Sequence, residues 1–295
     1  MTSVFRKIFM ILIGLLAGIA SWSVIEILFY FGESIRYYLL WNSLAGASIG
    51  FIFGLFFGSA EGIMLSDYKR SLRGAVSGSI PGLIAGTLTV LLVQGLLYSI
   101  GNAELFNSLI NESLIIPIFR TLGWSLLGIV IGSIDGIRSG SPRRIGIGAS
   151  GGFIGGLAGG ALLEMLVKYW SNGFYARGTG LVVMGIGIGL FYSLFEFSRS
   201  YGLIKVLTGP LRGKEYLILM KKTKIGASIK ANIPLGDYGG VKVNHAALIS
   251  NKNAVIIQEA KGSILVNDTP VTKHKLKYED VIQIGEAKLY YLPGK

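Results

Sequence analysis

Two stretches of this sequence repeat each other and decide how the N-terminal part of the chain folds. GLFFGSAEG at residues 54–62 matches GIVIGSIDG at residues 128–136, and a weaker copy, GLFYSLFE, occupies residues 189–196. The first two copies carry glycines four residues apart, and every copy has an acidic residue near its end. Four-residue spacing puts glycines on one helix face, where they let a second helix approach closely in lipid. The repeat therefore predicts closely packed membrane helices.

The repeats lie within six apolar runs, each long enough to cross a bilayer as a helix of about 20 residues. The runs cover residues 8–31, 38–65, 75–100, 114–137, 145–170 and 179–197. Only 15% of the residues are charged, whereas soluble domains carry about 25%. We predict a transmembrane domain over residues 1–204, built from three helical hairpins in one orientation. This arrangement suggests a pseudo-threefold axis along the membrane normal.

Glycine is unusually abundant, with 43 residues of 295, and most of it lies in this membrane part. We expect the glycines at four-residue spacing to form helix-packing faces in a tight bundle. An alternative is that these faces line a pore or a lipid path. The predicted packing residues are Gly54, Gly58, Gly78, Gly82, Gly86, Gly152, Gly156 and Gly160.

The basic residues predict the orientation of the helices. Lys69-Arg70 follows the second run and Arg143-Arg144 follows the fourth, at the same offset in the repeat. An excess of Lys and Arg marks cytoplasmic loops. We therefore predict a multi-pass protein of the inner (cytoplasmic) membrane with both termini in the cytoplasm.

Three acidic residues occupy the same repeat position near the predicted cytoplasmic ends of the even-numbered spans: Glu61, Asp135 and Glu196. A helix C-terminus is unfavourable for an anion, so each carboxylate needs a cationic or hydrogen-bonding partner. The simpler interpretation is an ion pair with a nearby basic residue that fastens the helix ends. The alternative is a ring of three acids that binds a cation or a partner's basic residue.

The last part of the chain has a different character. Residues 205–295 carry 15 basic and seven acidic residues, and from Tyr216 onward short apolar runs alternate with turn residues. This pattern predicts a β-sandwich. We place the domain at residues 214–295, after a linker at residues 205–213.

The order of motifs in this domain resembles that of a forkhead-associated (FHA) domain, over about residues 214–293. The segments that carry the resemblance are 224–227 (KIGA), 241–246 (VKVNHA), 262–268 (GSILVND), 276–285 (LKYEDVIQIG) and 289–291 (LYY). The resemblance implies a sandwich whose loop tips bind phosphothreonine peptides. A similar degenerate FHA fold occurs in inner-membrane ring subunits of bacterial type III secretion systems, where it serves assembly. Those subunits have one span, so the comparison reaches only the domain.

The resemblance also implies site residues. Gly226 and His245 correspond to structural positions of the family, while the family's phosphate-binding arginine falls on Ala227 and its motif serine on Lys242. Asn267 corresponds to the asparagine that contacts the peptide backbone. A lysine is a point charge without the planar fork of arginine. We therefore expect docking that does not require phosphate, through Lys230, Lys242, Asn244, Ser263 and Asn267.

The sequence contains no cysteine and no recognisable catalytic constellation, so we expect no enzyme, no cofactor and no metal site. The leading hypothesis is a membrane subunit that anchors a complex and recruits a cytoplasmic protein. One alternative is a channel, transporter or lipid-handling subunit, and another is a phosphothreonine-dependent adaptor. The basic charge of the last domain favours anionic lipid headgroups first and an acidic protein second. No basic-aromatic pattern indicates nucleic-acid binding.

Overall fold

The computed structural model describes residues 3–32, 38–64, 67–101, 112–169, 173–228, 231–251 and 254–294. Within these ranges, six helices are long and apolar enough to cross a membrane. They are α1 (Ser3–Gly32), α2 (Tyr38–Met64), α3 (Tyr68–Gly101), α4 (Glu112–Arg138), α5 (Pro142–Tyr169) and α6 (Gly173–Ser198). The chain folds into two compact units, one formed by Arg6–Phe195 and one that contains Glu196–Lys295.

Glycine-lined contacts join α2 to α3 and α4 to α5. A Cβ on Gly54 would collide with the carbonyl oxygen of Gly78, and a Cβ on Gly128 would collide with that of Gly152. The backbones therefore touch directly, so any larger side chain at these positions would push the helices apart. Seven of the eight predicted packing glycines face the backbone of the neighbouring helix in this way, and the eighth, Gly160, faces the side chain of Trp124.

A third copy of this interface joins the first and last helices. A Cβ on Gly189 in α6 would collide with the carbonyl oxygen of Met10 in α1, and Gly14 and Gly185 meet in the same way. In the repeat, Gly189 corresponds to Gly54 and Gly128. The predicted hairpins thus meet through three equivalent interfaces, and the third one closes the bundle.

The C-terminal unit is a sandwich of two sheets. Its strands are β1 (Gly202–Val206), β2 (Glu215–Ile218), β3 (Lys222–Gly226), β4 (Ile233–Pro234), β5 (Ala246–Asn251), β6 (Ala254–Glu259), β7 (Ile264–Val266), β8 (Thr269–Val271), β9 (Lys273–Lys275), β10 (Val281–Ile284) and β11 (Ala287–Pro293). The first sheet has the order β2-β1-β11-β10-β7-β8 and the second β4-β3-β5-β6-β9. All neighbours are antiparallel except β3 and β4.

The sandwich forms because apolar residues alternate along its strands. In β11, Ala287, Leu289 and Tyr291 are buried while Lys288 points outward. These side chains pack into one core with residues of both sheets, including Ile204, Leu248, Ile257 and Ile282. The predicted fold class, six long apolar helices followed by an all-β sandwich, is confirmed.

The predicted linker at residues 205–213 needs correction. Lys205 and Val206 belong to β1, where Lys205 pairs with Tyr290 and Glu215, and the sandwich therefore begins at Gly202. The rest of the predicted linker is the turn from β1 to β2, closed by the bond from the Gly213 amide to the Val206 carbonyl. Strand β1 is short and mostly apolar, so composition alone merged it with the preceding membrane span. Only residues 199–201 separate α6 from β1.

Candidate functional site

Three loops meet at one end of the sandwich, which we call the loop tip. It comprises residues 226–228 at the end of β3, residues 241–245 before β5 and residues 260–263 between β6 and β7. The amides of Ala227 and Ser228 donate to the carbonyls of Lys242 and Val243, which joins the first two loops. The third loop is attached through His245.

The buried side chain of His245 supports the loop tip from the interior of the domain. It is only 2% exposed, its Nδ1 accepts from the Lys242 amide at 3.1 Å, and its Nε2 lies 2.8 Å from the Ser263 carbonyl oxygen. An amide donates and a carbonyl accepts, so the neutral ring carries its proton on Nε2. The His245 carbonyl also accepts from the amide of Ala260. His245 therefore joins the second and third loops of the loop tip.

Two glycines allow this close packing. A Cβ on Gly262 would collide with the His245 ring, and a Cβ on Gly226 would collide with the Val243 carbonyl oxygen. Both partners are held by hydrogen bonds and cannot yield easily. Gly226 therefore has a steric reason to be glycine, and Gly262 is a second such position that was not predicted.

The surface of the loop tip is basic and partly apolar. Lys242, Asn244 and Ser263, all predicted as partner-binding residues, are exposed there. Two further exposed residues were not predicted: Lys261, and Val243, which is 64% exposed. Both could have been proposed from the sequence, because each lies within two residues of a predicted binding residue. Lys230, also predicted, lies outside the described residues.

Asn267 does not belong to the loop tip, which corrects one predicted site residue. It lies at the opposite end of β7 from Ser263, about 13 Å away at the rise of a strand. Asn267 and Asp268 both have positive φ and form the two-residue turn between β7 and β8. The Asn267 side chain donates to Asp280 Oδ1 and accepts from the Val281 amide, both at 2.9 Å. The Asn267 side chain therefore links the turn between β7 and β8 to the start of β10.

Asp280 is the centre of this second network. Burial by itself raises the pKa of the Asp280 carboxyl, but hydrogen bonds from the Lys277 amide, Asn267 and His274 outweigh it and lower the pKa below its ordinary value. Its Oδ2 lies 2.7 Å from the Lys277 amide nitrogen and 3.2 Å from Nε2 of His274. The network stabilises the fold by engaging both oxygens of the carboxylate.

In the helical unit, the predicted acids Glu61 and Asp135 each form an ion pair. Arg70 lies 2.9 Å from Glu61, and Arg144 lies 3.1 Å from Asp135. Both pairs join residues nine apart, because each spans the turn between an even helix and the next odd one. Arg144 also lies 3.8 Å from Glu61 and so connects the two pairs.

A small cavity of about 20 Å³ borders this charged cluster, and Arg6, Glu61, Asp135 and Tyr192 are among its lining residues. That volume holds about one water molecule. Tyr192 donates from its hydroxyl to Asp135 at 3.1 Å. Glu196, the third predicted acid, is buried near the end of α6 and belongs to the unit that contains the sandwich.

Ion pairs also bridge two of the glycine-lined interfaces nearer their other ends. Arg177 of α6 binds Glu26 of α1 through two bonds of 2.7 and 2.8 Å. Arg120 of α4 lies 3.6 Å from Glu164 of α5. Charged residues within membrane spans pair with one another, and here each pair links two neighbouring helices.

The C-terminal domain has relatives among known proteins. Residues 205–293 match the model of the cytoplasmic domain of the inner membrane component of the type III secretion system. No curated protein matches the chain. The family match covers the sandwich and does not extend to the six helices. The predicted likeness of the C-terminal domain to the secretion-system relatives of FHA domains is confirmed by this match.

Solved structures similar to the chain include FHA domains and a secretion-system domain. An FHA domain from Chlamydia trachomatis is 24% identical, with a TM-score of 0.29, and the match covers 32% of this chain and 98% of that one. An FHA domain from a study of phosphothreonine-dependent interactions is 21% identical, with a TM-score of 0.30, over 32% and 97%. The cytoplasmic domain of the sorting platform protein PscD from P. aeruginosa is 18% identical, with a TM-score of 0.29, over 31% and 79%.

Proposed function

We propose that this chain is a non-enzymatic subunit that anchors a complex in the inner membrane and recruits a cytoplasmic protein through the loop tip of its FHA-like domain. The helices supply the anchor, and their basic loops favour a cytoplasmic location for the sandwich. The family match supports this role, because the matched family is an inner membrane component of a secretion complex.

The loop tip is the observation that carries the proposal. It exposes Lys242, Val243 and Lys261 on loops that the buried His245 fixes in place. A pre-organised surface loses little conformational freedom on binding, which favours affinity. Two lysines around an apolar side chain suit a protein segment that combines acidic and apolar residues.

Phosphate-independent docking fits this surface better than phosphothreonine recognition. Strong phosphate recognition uses the two parallel donors of an arginine, and Ala227 occupies the position where the family has that arginine. Lys242 offers charge without that geometry. We therefore expect phosphorylated and unphosphorylated forms of a partner peptide to bind equally well, and a preference of tenfold or more for the phosphorylated form, about 1.4 kcal/mol, would contradict this.

The proposal is tested by co-purification from native membranes in mild detergent. The wild-type chain is compared with the double variant Lys242→Glu/Lys261→Glu, which reverses the charge of the loop tip. A matched control, Lys277→Glu/Lys288→Glu, makes the same charge change at exposed lysines elsewhere on the sandwich.

The proposal predicts that a defined cytoplasmic protein co-purifies with the wild type and the control and is lost from the loop-tip variant. Thermal unfolding of all three forms checks that the sandwich is intact. Equal co-purification with all three forms would contradict recruitment through the loop tip.

A further inference from the structure

The second sheet of the sandwich has an outward face edged by lysines. Residues alternate between the two sides of a strand. In β3, β5, β6 and β9, the four longer strands of this sheet, the outward residues are those on the side away from the buried core. On β3 and β9 these positions hold lysines, and on β5 and β6 they hold small, apolar or amide residues. The outward residues, which we call the lysine-edged face, are Lys222, Lys224, Ala247, Ile249, Asn251, Ala254, Ile256, Gln258, Lys273 and Lys275.

The strand register lines these residues up in two rows. In the first row, Lys222 pairs with Ile249, Ile249 with Ile256, and Ile256 with Lys275. In the second row, Lys224 pairs with Ala247, Ala247 with Gln258, and Gln258 with Lys273. Each row runs from a lysine on β3 to a lysine on β9 across about 14 Å, because neighbouring strands lie about 4.8 Å apart.

The face carries only positive charge. None of its outward positions holds an acidic residue, and none of the four lysines forms an ion pair with the residues that the structure describes. The apolar centre is accessible, since Ile249 is 38% exposed. His274, between Lys273 and Lys275, faces the other way and pairs with Asp280.

The composition of the face suits a lipid surface better than a protein. The centres of protein interfaces are enriched in Tyr, Trp, Phe, Met and Arg and depleted of Lys, whereas this face has four lysines, no arginine and no aromatic residue. A lysine is a flexible point charge, which matches the diffuse negative charge of headgroups. The long stems of lysines also cover apolar surface while their amines reach phosphates.

The connection between α6 and β1 is short. Three residues, 199–201, separate the end of α6 from β1, and a chain of that length spans about 10 Å. A domain tethered so closely to the end of a membrane helix experiences the negative potential of the cytoplasmic leaflet. We propose that the lysine-edged face docks on anionic lipid headgroups of the membrane that anchors the chain. This inference rests on the proposed anchoring and is independent of the loop tip.

The test uses the full chain reconstituted into vesicles of phosphatidylcholine alone or of phosphatidylcholine mixed with phosphatidylglycerol. A membrane-impermeant reagent acetylates the lysines of outward-facing domains, and mass spectrometry of peptides gives the rate at each lysine. We expect acetylation of Lys222, Lys224, Lys273 and Lys275 to slow severalfold in the anionic vesicles. The protection is lost in 1 M salt, where the screening length falls to about 3 Å.

A matched pair of variants makes the result specific. Lys222→Gln/Lys275→Gln removes one lysine from each edge and is expected to abolish the protection of Lys224 and Lys273, because each lysine contributes about fivefold to membrane affinity. The control Lys277→Gln/Lys288→Gln removes the same charge elsewhere and is expected to leave the protection unchanged.

Several outcomes would overturn the inference. Equal acetylation in both kinds of vesicle, or the same loss of protection in the control variant, would exclude specific docking of this face. Protection that appears only after a cytosolic protein is added would make the face a protein interface. Flotation after an alkaline wash separates these results from failure of the proposed function, because a chain that leaves the vesicles is not anchored in them.

Discussion

Gly14 of α1 and Gly185 of α6 meet backbone to backbone, and this contact repeats the one between Gly82 of α3 and Gly50 of α2. The two helices at the ends of the membrane part therefore form an interface that neighbouring helices form twice elsewhere. The closed helix bundle depends on all three equivalent interfaces, so we expect that disrupting one of them lowers the stability of the whole bundle.

Enlarging Gly14 should destabilise the bundle. The change Gly14→Ala places a Cβ against the Gly185 carbonyl and is expected to cost about 1–3 kcal/mol, as overpacking does elsewhere. Gly95→Ala is the control, because a Cβ there has open space and alanine favours a helix by about 1 kcal/mol over glycine. Unfolding in mixed micelles measures both, and equal stability of the two variants would contradict the third interface.

The contact between α1 and α6 can also be tested in native membranes. The chain contains no cysteine, so Glu26→Cys/Arg177→Cys introduces the only two thiols. Since the two native side chains are in contact at 2.7 Å, a short bifunctional thiol reagent is expected to cross-link them within one chain. Glu26→Cys/Arg120→Cys serves as the control pair, and equal cross-linking of both pairs would argue against this packing.

Among the arginines of the charged cluster, Arg144 should matter more than Arg70. Arg144 contacts both Asp135 and Glu61, and its side chain is 12% exposed against 32% for Arg70. We expect Arg144→Gln to lower stability by about 1.5–3 kcal/mol and Arg70→Gln by less than about 1 kcal/mol. Unfolding in mixed micelles provides the comparison, and the reverse order would refute a linking role for Arg144.

Substitutions in the same cluster distinguish a membrane anchor from the alternative function of a transport path. Neutralising both acids with Glu61→Gln/Asp135→Asn is expected to loosen the bundle, because two arginines lose their charged partners. Stability in detergent and ion flux into proteoliposomes are measured in parallel. Loss of a measurable flux in a bundle of unchanged stability would favour the path.

At the loop tip, Gly262→Ala tests whether His245 is held rigidly. The added Cβ would collide with the ring, and we expect a loss of about 1–3 kcal/mol in the stability of the sandwich. Gly236→Ala is the comparison, since a Cβ there lies 3.1 Å from its nearest neighbour, the Ala227 carbonyl oxygen. Thermal unfolding measures the stability of both variants. A larger loss of stability from Gly236→Ala than from Gly262→Ala would mean that the His245 ring can move.

The Asp280 network predicts a pH dependence. The folded-state pKa of Asp280 is lowered, so its contribution is fully present above the unfolded value of about 3.9 and is lost as the pH falls through the folded-state pKa. Asp280→Asn is therefore expected to be less stable than the wild type at pH 7 and to lose less stability between pH 5 and pH 3 than the wild type does. Denaturant unfolding at these pH values measures the difference, and parallel curves would contradict it.

The sequence predicted the helices and their packing faces better than it predicted which helices or strands contact each other. The four-residue spacing of Gly54 and Gly58 is a local signal, and it correctly indicated a helix face that packs closely. That Gly14 would meet Gly185 depends on how the repeats close on each other, which no local pattern records. Strand β1 was missed for a related reason, since its pairing with β11 joins residues far apart in the chain.

The error at Asn267 has a local cause. Asn and Asp tolerate positive φ and are common in tight turns, so Asn267-Asp268 between two short apolar runs also fits a hairpin turn, whereas the family resemblance assigned Asn267 to peptide binding. The lysine-edged face was likewise visible in part, as Lys-x-Lys at residues 222–224 and 273–275. Its two edges became one face only once the register of β3, β5, β6 and β9 was known.

Site-specific photo-cross-linking in native membranes tests the central claim most directly. A photoreactive amino acid replaces Val243 at the loop tip or Tyr278 in the turn before β10, two side chains that are each 64% exposed. Recruitment through the loop tip predicts an adduct with a cytoplasmic protein from position 243 and none from position 278. An adduct of equal yield from both positions, or from position 278 alone, would contradict it.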